Sequence, residues 1–328
     1  MDSLTHALTG AIIGHALGNS KLGTKAMVIG AIAANIPDFD AAFTPFFDPV
    51  EAMFIHRGFS HSLLLMFIGS AFLGYLLSRY YKSRHPFGFW WPLVLIPWLS
   101  HLLMDIFNTY GTGILEPFSS VRISFDAMAI IDINLLVILV LTLAALLFLR
   151  EKSRFQKRFI ALLGLSVVLL YFLLNVYIKL SLEREVRDRL TTTGIDFTRI
   201  HSTPLPLTNL VWMVVVEDSS GYRVSQVNIV KKQIVSHTLL LKGKEKNITT
   251  CCSLERIKEF TKNYFTIDYS DQGYFFVNDL RFSSLESSYP AAYVLRFRID
   301  EKNCRVERTH PRRGINTTNI SKLVRKIF

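Results

Sequence analysis

The residues of this sequence that could do chemistry are histidines and aspartates of the kinds that bind divalent metal ions. Seven of them fall within the first 105 residues, namely His6, Asp38, Asp40, His56, His61, His101 and Asp105. Neutral imidazoles and carboxylates suit zinc, with manganese and iron(II) as alternatives, and seven such groups exceed what one tetrahedral ion needs. The sequence therefore predicts a site for one or two divalent ions, with zinc as the first choice.

The local spacing of these groups lets several of them point at a common ion. His101 and Asp105 are four residues apart, so both side chains project from one face of a helix. Pro37 ends the preceding apolar segment and leaves Asp38 and Asp40 in a loop, where alternate residues can face the same ion. We therefore expect two chain segments that are distant in sequence to share one site.

The stretch HRGFSH supplies further groups. Gly58 permits a tight turn that would bring His56 and His61 together. Arg57 suits bidentate recognition of a phosphate or carboxylate and could stabilise anionic charge as it develops. We assign Arg57, together with Asp132 at the start of a later apolar segment, to the catalytic set rather than to the ligands.

Apolar segments of membrane-spanning length must position these groups. The chain has 328 residues, half of them hydrophobic, and its long apolar runs lie within the first 180 residues. Four segments approach the ~20 residues that a bilayer requires. They are residues 62–78, 89–107, 130–149 and 159–178. Two shorter helices, at residues 4–17 and 26–36, precede them. We predict a membrane α-helical bundle of about four full spans plus two short N-terminal helices (residues 1–180), followed by a C-terminal extracytoplasmic α+β domain (residues 181–328).

The basic residues predict the orientation of the bundle. Lys and Arg concentrate in the loops at residues 79–85 and 150–158, which the positive-inside rule places in the cytoplasm. All seven candidate ligands and Asp132 then reach the outer side at similar depth, and residues 181–328 lie outside. We expect a multi-pass protein of the bacterial cytoplasmic membrane, with the lipid bilayer as its partner. The chain has a net charge of +11, and its densest basic cluster is the loop at residues 150–158, which is better explained by topology than by a nucleic-acid surface, so no nucleic-acid partner is predicted.

The C-terminal part has a different pattern, with short alternating apolar runs bounded by Gly, Asp, Ser and Asn. These runs predict six strands, and residues 253–265 predict one amphipathic helix. The sequence contains neither a nucleotide-binding loop nor a Ser-His-Asp order in this part. A disulfide between Cys304 and either Cys251 or Cys252 is left open.

Four motifs in a fixed order carry a family resemblance. LTH near the start is followed by PDFD, HRGFSHS and HLLMDIFNTYGTGILEPF. Over roughly residues 1–150 the chain resembles the YdjM-like family of membrane-bound metal-dependent hydrolases of bacteria and archaea. The resemblance implies that the seven histidines and aspartates form the metal site, with Arg57 beside them. It also implies a metal-dependent hydrolase, without naming a substrate.

The leading hypothesis is a membrane-embedded hydrolase that acts at the outer face through a metal-activated water. The depth of the site favours an amphiphilic substrate, such as a phospholipid or a lipid-linked phosphoester. One alternative is a metal-ion or proton transporter that uses the histidines and aspartates as a relay. Another is a membrane anchor in which the metal only holds the helices together.

Overall fold

The chain folds into two compact units. The computed structural model describes residues 1–81, 85–148, 153–243, 252–270, 272–284, 293–309 and 317–327. The helical unit comprises Met1–Phe46, Met53–Phe125 and Ile130–Leu174, and the sheet unit comprises Phe47–Ala52, Asp126–Ala129 and Asn175–Phe328. The prediction of an apolar helical region followed by a domain built on antiparallel sheet is confirmed.

Seven helices precede the first strand in the described part of the chain. They are α1 (Ser3–Leu22), α2 (Thr24–Ala33), α3 (Pro49–Ile55), α4 (Leu63–Tyr80), α5 (Phe87–Asp105), α6 (Ile133–Phe148) and α7 (Arg154–Thr192). Three short 3-10 segments, Pro37–Ala42, Thr44–Phe46 and Phe59–His61, connect them near the site. In these described residues α4, α5 and α7 are long and apolar enough to cross a membrane. A fourth, broken span could be formed by α2 together with the 3-10 segments that follow it, which meet at an angle of 50°. The apolar helix α6 has 16 residues and is shorter than these spans.

Side-chain caps fix where the helices near the site begin. The carboxylate of Asp2 accepts a hydrogen bond from the Thr5 amide (3.0 Å) and starts α1. The hydroxyl of Ser62 accepts one from the Leu65 amide (3.1 Å) and starts α4, which leaves His61 just ahead of the helix. At its other end α5 stops at Asp105. The caps therefore place candidate ligands at helix ends.

The first two helices pack unusually closely through glycines. A Cβ atom added to Gly10 would lie 2.3 Å from the carbonyl oxygen of Gly30, and one added to Gly14 would lie 2.1 Å from that of Ala26. Small residues allow such backbone contact between helices in an apolar environment. The predicted helix at residues 4–17 is part of α1, which has 20 residues and brings His6 to the site.

The sheet unit contains eight strands in its described residues. They are β1 (Arg199–Pro204), β2 (Val211–Glu217), β3 (Gly221–Asn228), β4 (Gln233–Leu241), β5 (Phe265–Tyr269), β6 (Tyr274–Asp279), β7 (Arg296–Asp300) and β8 (Val306–Thr309). Strands β1–β4 form the first sheet and β5–β8 the second, each antiparallel and in sequence order. The six predicted strands correspond to β2–β7. Two helices, α8 (Cys252–Phe260) and α9 (Thr317–Ile327), complete the unit.

Some sequence predictions for this unit differ from the structure or lie beyond it. The helix predicted at residues 253–265 ends at Phe260, because the chain turns there and Phe265 begins β5. Cys251 and the side chain of Cys252 lie outside the described residues, so the disulfide stays a prediction. Residues 82–84 and 150–152 of the two basic loops also lie outside them.

The two faces of the first sheet bury different partners. On one face Trp212, Val214 and Val216 pack against Leu182 of α7. On the other face Val215 packs with residues that include Tyr264 and Leu280. Because alternate residues of β2 point to opposite faces, its seven residues are all buried.

A buried histidine gives the sheet unit a predicted pH dependence. Burial lowers the pKa of His201 to about 4, and its Nε2 donates to the carbonyl oxygen of Arg281 at 3.2 Å. Because the pKa of this base is lower in the folded state, the unfolded state binds the proton more readily. At pH values above the unfolded pKa of about 6.5, the free energy of unfolding is therefore up to about 3 kcal/mol higher than it is near pH 4. This stabilisation is lost as the pH falls from 6.5 towards 4.

We expect hydrogen exchange in β1 and β2, corrected for its intrinsic pH dependence, to accelerate when the pH falls from 7 to 4.5. His201→Gln should flatten this dependence, whereas His237→Gln, on the exposed strand β4, should keep it. An unchanged pH dependence in His201→Gln would show that another group causes the effect.

Candidate metal centre

The helical unit joins all seven predicted metal-site residues and Arg57 through one network of contacts. The contributing segments are α1, the 3-10 segment Pro37–Ala42, the turn after α3, the 3-10 turn Phe59–His61 and the end of α5. Four of these side chains are completely buried, namely His6, His61, His101 and Asp105. Burying so many ionisable groups together is costly unless they neutralise one another or coordinate an ion.

Four donor atoms converge on one point. The Nε2 atoms of His61 and His101 each lie 3.6 Å from Asp38 Oδ1 and 3.6 Å from Asp105 Oδ2. The two Nε2 atoms are 3.0 Å apart. Ligands at about 2.0–2.1 Å from a tetrahedral zinc ion are about 3.3 Å from one another. These four side chains therefore fit one tetrahedral ion with only small adjustments.

The hydrogen bonds behind the two histidines set which nitrogen carries the proton. His101 Nδ1 lies 2.6 Å from the carbonyl oxygen of Ala34, which can only accept, so Nδ1 donates and Nε2 keeps its lone pair. His61 Nδ1 lies 2.8 Å from Ser60 Oγ, and because the Ser60 hydroxyl donates its proton to Asp40 Oδ2, Nδ1 donates to Ser60; Asp40 Oδ2 itself lies 3.2 Å from Nδ1. Two lone pairs thus face each other beside two carboxylate oxygens. A divalent cation at this point could be bound by all four donors at once.

Asp40 makes contacts that hold the HRGFSH stretch in place. Its Oδ1 lies 2.8 Å from His56 Nδ1, and its Oδ2 accepts a hydrogen bond from the Arg57 amide at 2.8 Å. The hydroxyl of Ser60 also donates to Oδ2. Asp38, Asp40 and His56 form a second group whose donors could hold an ion. Because His56 and Asp40 already bond each other, the geometry favours one ion in the four-donor group, with Asp40 orienting His61.

A second network surrounds the carboxylate of Asp105. Arg57 Nε lies 3.0 Å from Oδ2, while the Met1 amino group and His6 Nε2 (3.2 Å) contact Oδ1. Arg57 Nη1 donates to Asn108 Oδ1 at 2.7 Å. The carboxylate is therefore flanked by cationic and donor groups, which stabilise its ionised form.

His6 and Asp132 have particular places in the structure. The ring of His6 stacks on that of His101 with centroids 3.8 Å apart. Asp132 Oδ1 accepts a hydrogen bond from the Leu135 amide at 3.0 Å, which caps α6, and both its oxygens lie 2.9 Å from the Tyr171 hydroxyl. His6 is thus adjacent to the four-donor group, and Asp132 is held by a different set of partners. The catalytic role assigned to Asp132 stays a prediction.

Three residues near the site were not assigned individual roles from the sequence. Ser60 bridges Asp40 and His61, and Asn108 receives a hydrogen bond from Arg57. The ring of Tyr110 lies 5.3 Å from that of His56 and 5.2 Å from the Arg57 guanidinium carbon. Asn108 and Tyr110 both belong to the NTYGTG turn directly after α5. The sequence signal for a role at the site was the position of this turn directly after the candidate ligands His101 and Asp105.

Arg122 supports the same loops through carbonyl groups. Its guanidinium donates to the carbonyl oxygens of Phe54 (3.2 Å), His56 (2.8 Å) and Gly111 (2.9 Å). These bonds join the turn after α3 to the turn after α5. Arg122 therefore helps to position the ligand segments.

Gly58 is needed for close approach rather than for an unusual backbone angle. Its φ is −89°, and the positive φ of the turn is at Arg57 (61°). A Cβ atom at Gly58 would lie 2.4 Å from the carbonyl oxygen of Phe54 and 3.2 Å from that of Ile55. The expected tight turn is present, but its strained residue is the arginine.

Gly58→Ala should therefore destabilise the helical unit, by about 1–3 kcal/mol as is typical of overpacking. We expect a lower melting temperature of the detergent-solubilised protein and weaker zinc binding. Gly88→Ala is the matched control, because a Cβ atom there has no neighbour within 4 Å. Equal melting temperatures for the two variants would contradict the close approach at Gly58.

Comparison with known proteins identifies a family and similar proteins. A family model described as "YdjM inner membrane protein" matches residues 1–182. The inner membrane protein YbcI of Escherichia coli (strain K12) is 31% identical over 123 residues, which is 36% of this chain and 69% of YbcI. The uncharacterized protein YfhP of Bacillus subtilis (strain 168) is 30% identical over 129 residues, or 36% of this chain and 38% of YfhP. No solved structure matches the chain.

Proposed function

The chain belongs to the YdjM inner membrane protein family, and from this premise we propose that it is a membrane-embedded, metal-dependent hydrolase. Asp38, His61, His101 and Asp105 would hold one divalent ion, with zinc as the best fit to two imidazoles and two carboxylates. The observation that carries the proposal is the convergence of two Nε2 atoms, 3.0 Å apart, beside two carboxylate oxygens. This donor set is one that a divalent cation could bind.

The residues around the ion suit hydrolysis of an anionic substrate. Bound zinc would lower the pKa of a water molecule and polarise the bond to be cleaved. Asp38 exposes 16% of its side chain and His56 26%, so substrate would approach from their side. Arg57, held by Asp105 and Asn108, would stabilise negative charge that develops on the substrate. Asp40 and Ser60 would keep the Nδ1 proton on His61 during turnover.

The surroundings of the site favour an amphiphilic substrate at the outer face of the membrane. The segment that carries Asp38 also exposes the large side chains of Phe39 (66%), Phe43 (59%) and Phe46 (82%). Such a group of exposed aromatic residues suits an apolar or interfacial environment. We therefore propose a phospholipid or a lipid-linked phosphoester as the substrate.

A structural role for the ion is the second candidate. Four protein donors from three segments would saturate a tetrahedral ion, which is typical of structural zinc sites. In that case the ion would join the 3-10 segment, the HRGFSH stretch and α5 without activating water. Catalysis requires either an additional coordination position or a ligand that yields to water.

Hydrolysis assays with matched variants separate the two candidates. Zinc-loaded protein in detergent would be assayed with phosphatidate, lysophosphatidate and the soluble ester p-nitrophenyl phosphate. We expect release of phosphate from a lipid ester that is lost in His101→Gln and retained in His237→Gln. Stoichiometric zinc without hydrolysis of any of these esters would favour the structural role. Equal hydrolysis by His101→Gln would contradict a reaction at this site.

The proposed orientation predicts where residues 181–328 reside. A C-terminal alkaline phosphatase fusion expressed in bacteria should be active, and a C-terminal green fluorescent protein fusion should be dark, because neither reporter works on both sides of the membrane. We expect this result because loops rich in Lys and Arg stay in the cytoplasm, which places residues 181–328 on the outer side. The opposite pair of results would place the sheet unit in the cytoplasm.

A further inference from the structure

One short helix, α3, belongs to both compact units of the chain. Residues 49–52 of α3 are part of the sheet unit, whereas residues 53–55 are part of the helical unit. His56 follows the helix directly, and His61 comes five residues later. The helix therefore joins the sheet unit to the HRGFSH stretch of the metal centre through one continuous piece of backbone.

This helix is too short to be stable by itself. It has seven residues, whereas isolated helices of fewer than about 12–15 residues are marginal in water. The carboxylate of Asp48 accepts hydrogen bonds from the amides of Val50 (2.9 Å) and Glu51 (3.2 Å) and so caps its first turn. One cap is a small contribution for so short a helix. The order of α3 therefore depends on the groups that hold its two ends.

The helical unit holds the C-terminal end of α3. The carbonyl oxygen of Met53 accepts a hydrogen bond from the Tyr110 hydroxyl at 3.1 Å, and that of Phe54 accepts one from Arg122 at 3.2 Å. The amide of Gly58 donates to the carbonyl oxygen of the last helical residue, Ile55, at 3.1 Å. The turn that carries Arg57 is thus bonded directly to the last turn of α3, so its position depends on that of the helix.

The sheet unit holds the N-terminal end of α3 through helix α8. Arg256 Nε lies 3.4 Å from Glu51 Oε1, and Arg256 Nη1 donates to Glu259 at 2.8 Å. Asp48 lines the same groove as Ser253, in the first turn of α8. Within the sheet unit, α8 therefore contacts the first turn of α3 through a pair of opposite charges.

We propose that the sheet unit positions the metal-site residues of the HRGFSH stretch through α3, with Arg256 and Glu51 as the positioning residues. The inference rests on the metal centre proposed above. Because helix formation is cooperative, loss of the contacts at one end of a seven-residue helix loosens the whole helix. A change at α8 then alters the order of His56 and His61 without touching a ligand. The sheet unit thereby sets the metal affinity of the helical unit.

Hydrogen exchange of the metal-free, full-length protein in detergent tests this coupling independently of zinc. Arg256→Glu places a carboxylate beside those of Glu51 and Glu259. It should accelerate exchange in residues 53–61 about two- to fivefold, as expected for loss of a partly exposed ion pair. The charge swap Glu51→Arg with Arg256→Glu restores the attraction and should recover most of the protection. Glu259→Gln, which removes the other partner of Arg256, is the matched control and should exchange like the wild type.

Zinc affinity is the functional measurement. In competition with a chromophoric chelator, Arg256→Glu should bind zinc severalfold more weakly and the charge swap should restore binding. Unchanged exchange in β1 and β2 would show that the sheet unit stays folded in these variants.

Acceleration confined to α8 and residues 48–52, with residues 53–61 unchanged, would overturn the proposal. So would faster exchange in residues 53–61 that the charge swap does not reverse. A wild type that binds no zinc would contradict the metal centre instead, and the exchange rates would still decide whether α8 positions the HRGFSH stretch.

Discussion

Replacing His101 with Gln should reduce bound zinc from one ion per chain to none that survives size-exclusion chromatography. The side chain supplies one of the four donors. Its Nδ1 bonds the carbonyl oxygen of Ala34, so Nε2 faces His61 and is the atom that can coordinate an ion. Loss of a ligand should weaken binding by more than the ~10–100-fold that loss of a supporting residue causes. Metal content per folded chain, measured by mass spectrometry of the eluted protein, gives the answer.

The same variant should lose the stabilisation that zinc provides. A ligand at 100 times its dissociation constant stabilises the folded state by about 2.7 kcal/mol, so the wild type should melt higher with zinc than with a chelator. His101→Gln should show no such difference. His15→Gln is the matched control, since His15 is a buried histidine of α1 outside the four-donor group. Loss of zinc from His15→Gln, or its retention in His101→Gln, would contradict the assignment.

Asp40→Asn should weaken zinc binding by about 10–100-fold without removing a ligand. Asp40 accepts hydrogen bonds from the Arg57 amide and from the Ser60 hydroxyl that lies against His61 Nδ1, and it also contacts His56. An amide keeps the shape but loses the charge and one acceptor, so His61 is no longer held in a single tautomer. Competition with a chromophoric chelator measures the change in affinity.

Ser60→Ala is the comparison for Asp40→Asn, because it removes only the neutral hydroxyl that joins the same carboxylate to His61 Nδ1 and leaves the charge of Asp40 in place. We expect the smaller effect that loss of one hydrogen bond produces, about 0.5–1.5 kcal/mol or up to roughly 10-fold. Wild-type affinity in Asp40→Asn would show that Asp40 does not orient His61. Complete loss of zinc, as in His101→Gln, would make Asp40 a ligand.

The sequence predicted the direction of a side chain where that direction depends on residues close by in the chain. His101 and Asp105 at i, i+4 do face the same point. The prediction for Pro37 was wrong, because α2 already ends at Ala33 and Pro37 begins the 3-10 segment that carries Asp38. The different roles of Asp38 and Asp40 could not be predicted. Their directions depend on the 3-10 turn that carries them, and alternate residues in an extended loop would both have faced the ion.

Longer-range features explain what the sequence did not reveal. Asp132 was grouped with the site because it begins an apolar segment at the same predicted depth in the membrane. Depth alone does not determine which groups a side chain contacts, and in the structure Asp132 bonds Leu135 and Tyr171. The strand β1 has no regular alternation of apolar residues, and its place depends on pairing with β2. The predicted boundary at residue 180 falls inside α7, where apolar residues give way to charged ones without a break in the helix.

Anomalous X-ray scattering at the zinc absorption edge, from crystals of the wild-type protein purified without chelator, tests the central claim most directly. The structure predicts one strong peak about 2.0–2.1 Å from each of Asp38 Oδ1, His61 Nε2, His101 Nε2 and Asp105 Oδ2. A further water ligand on that ion would support hydrolysis, and its absence would support the structural role. No anomalous peak among these four side chains, or a peak bound by other residues, would contradict the account.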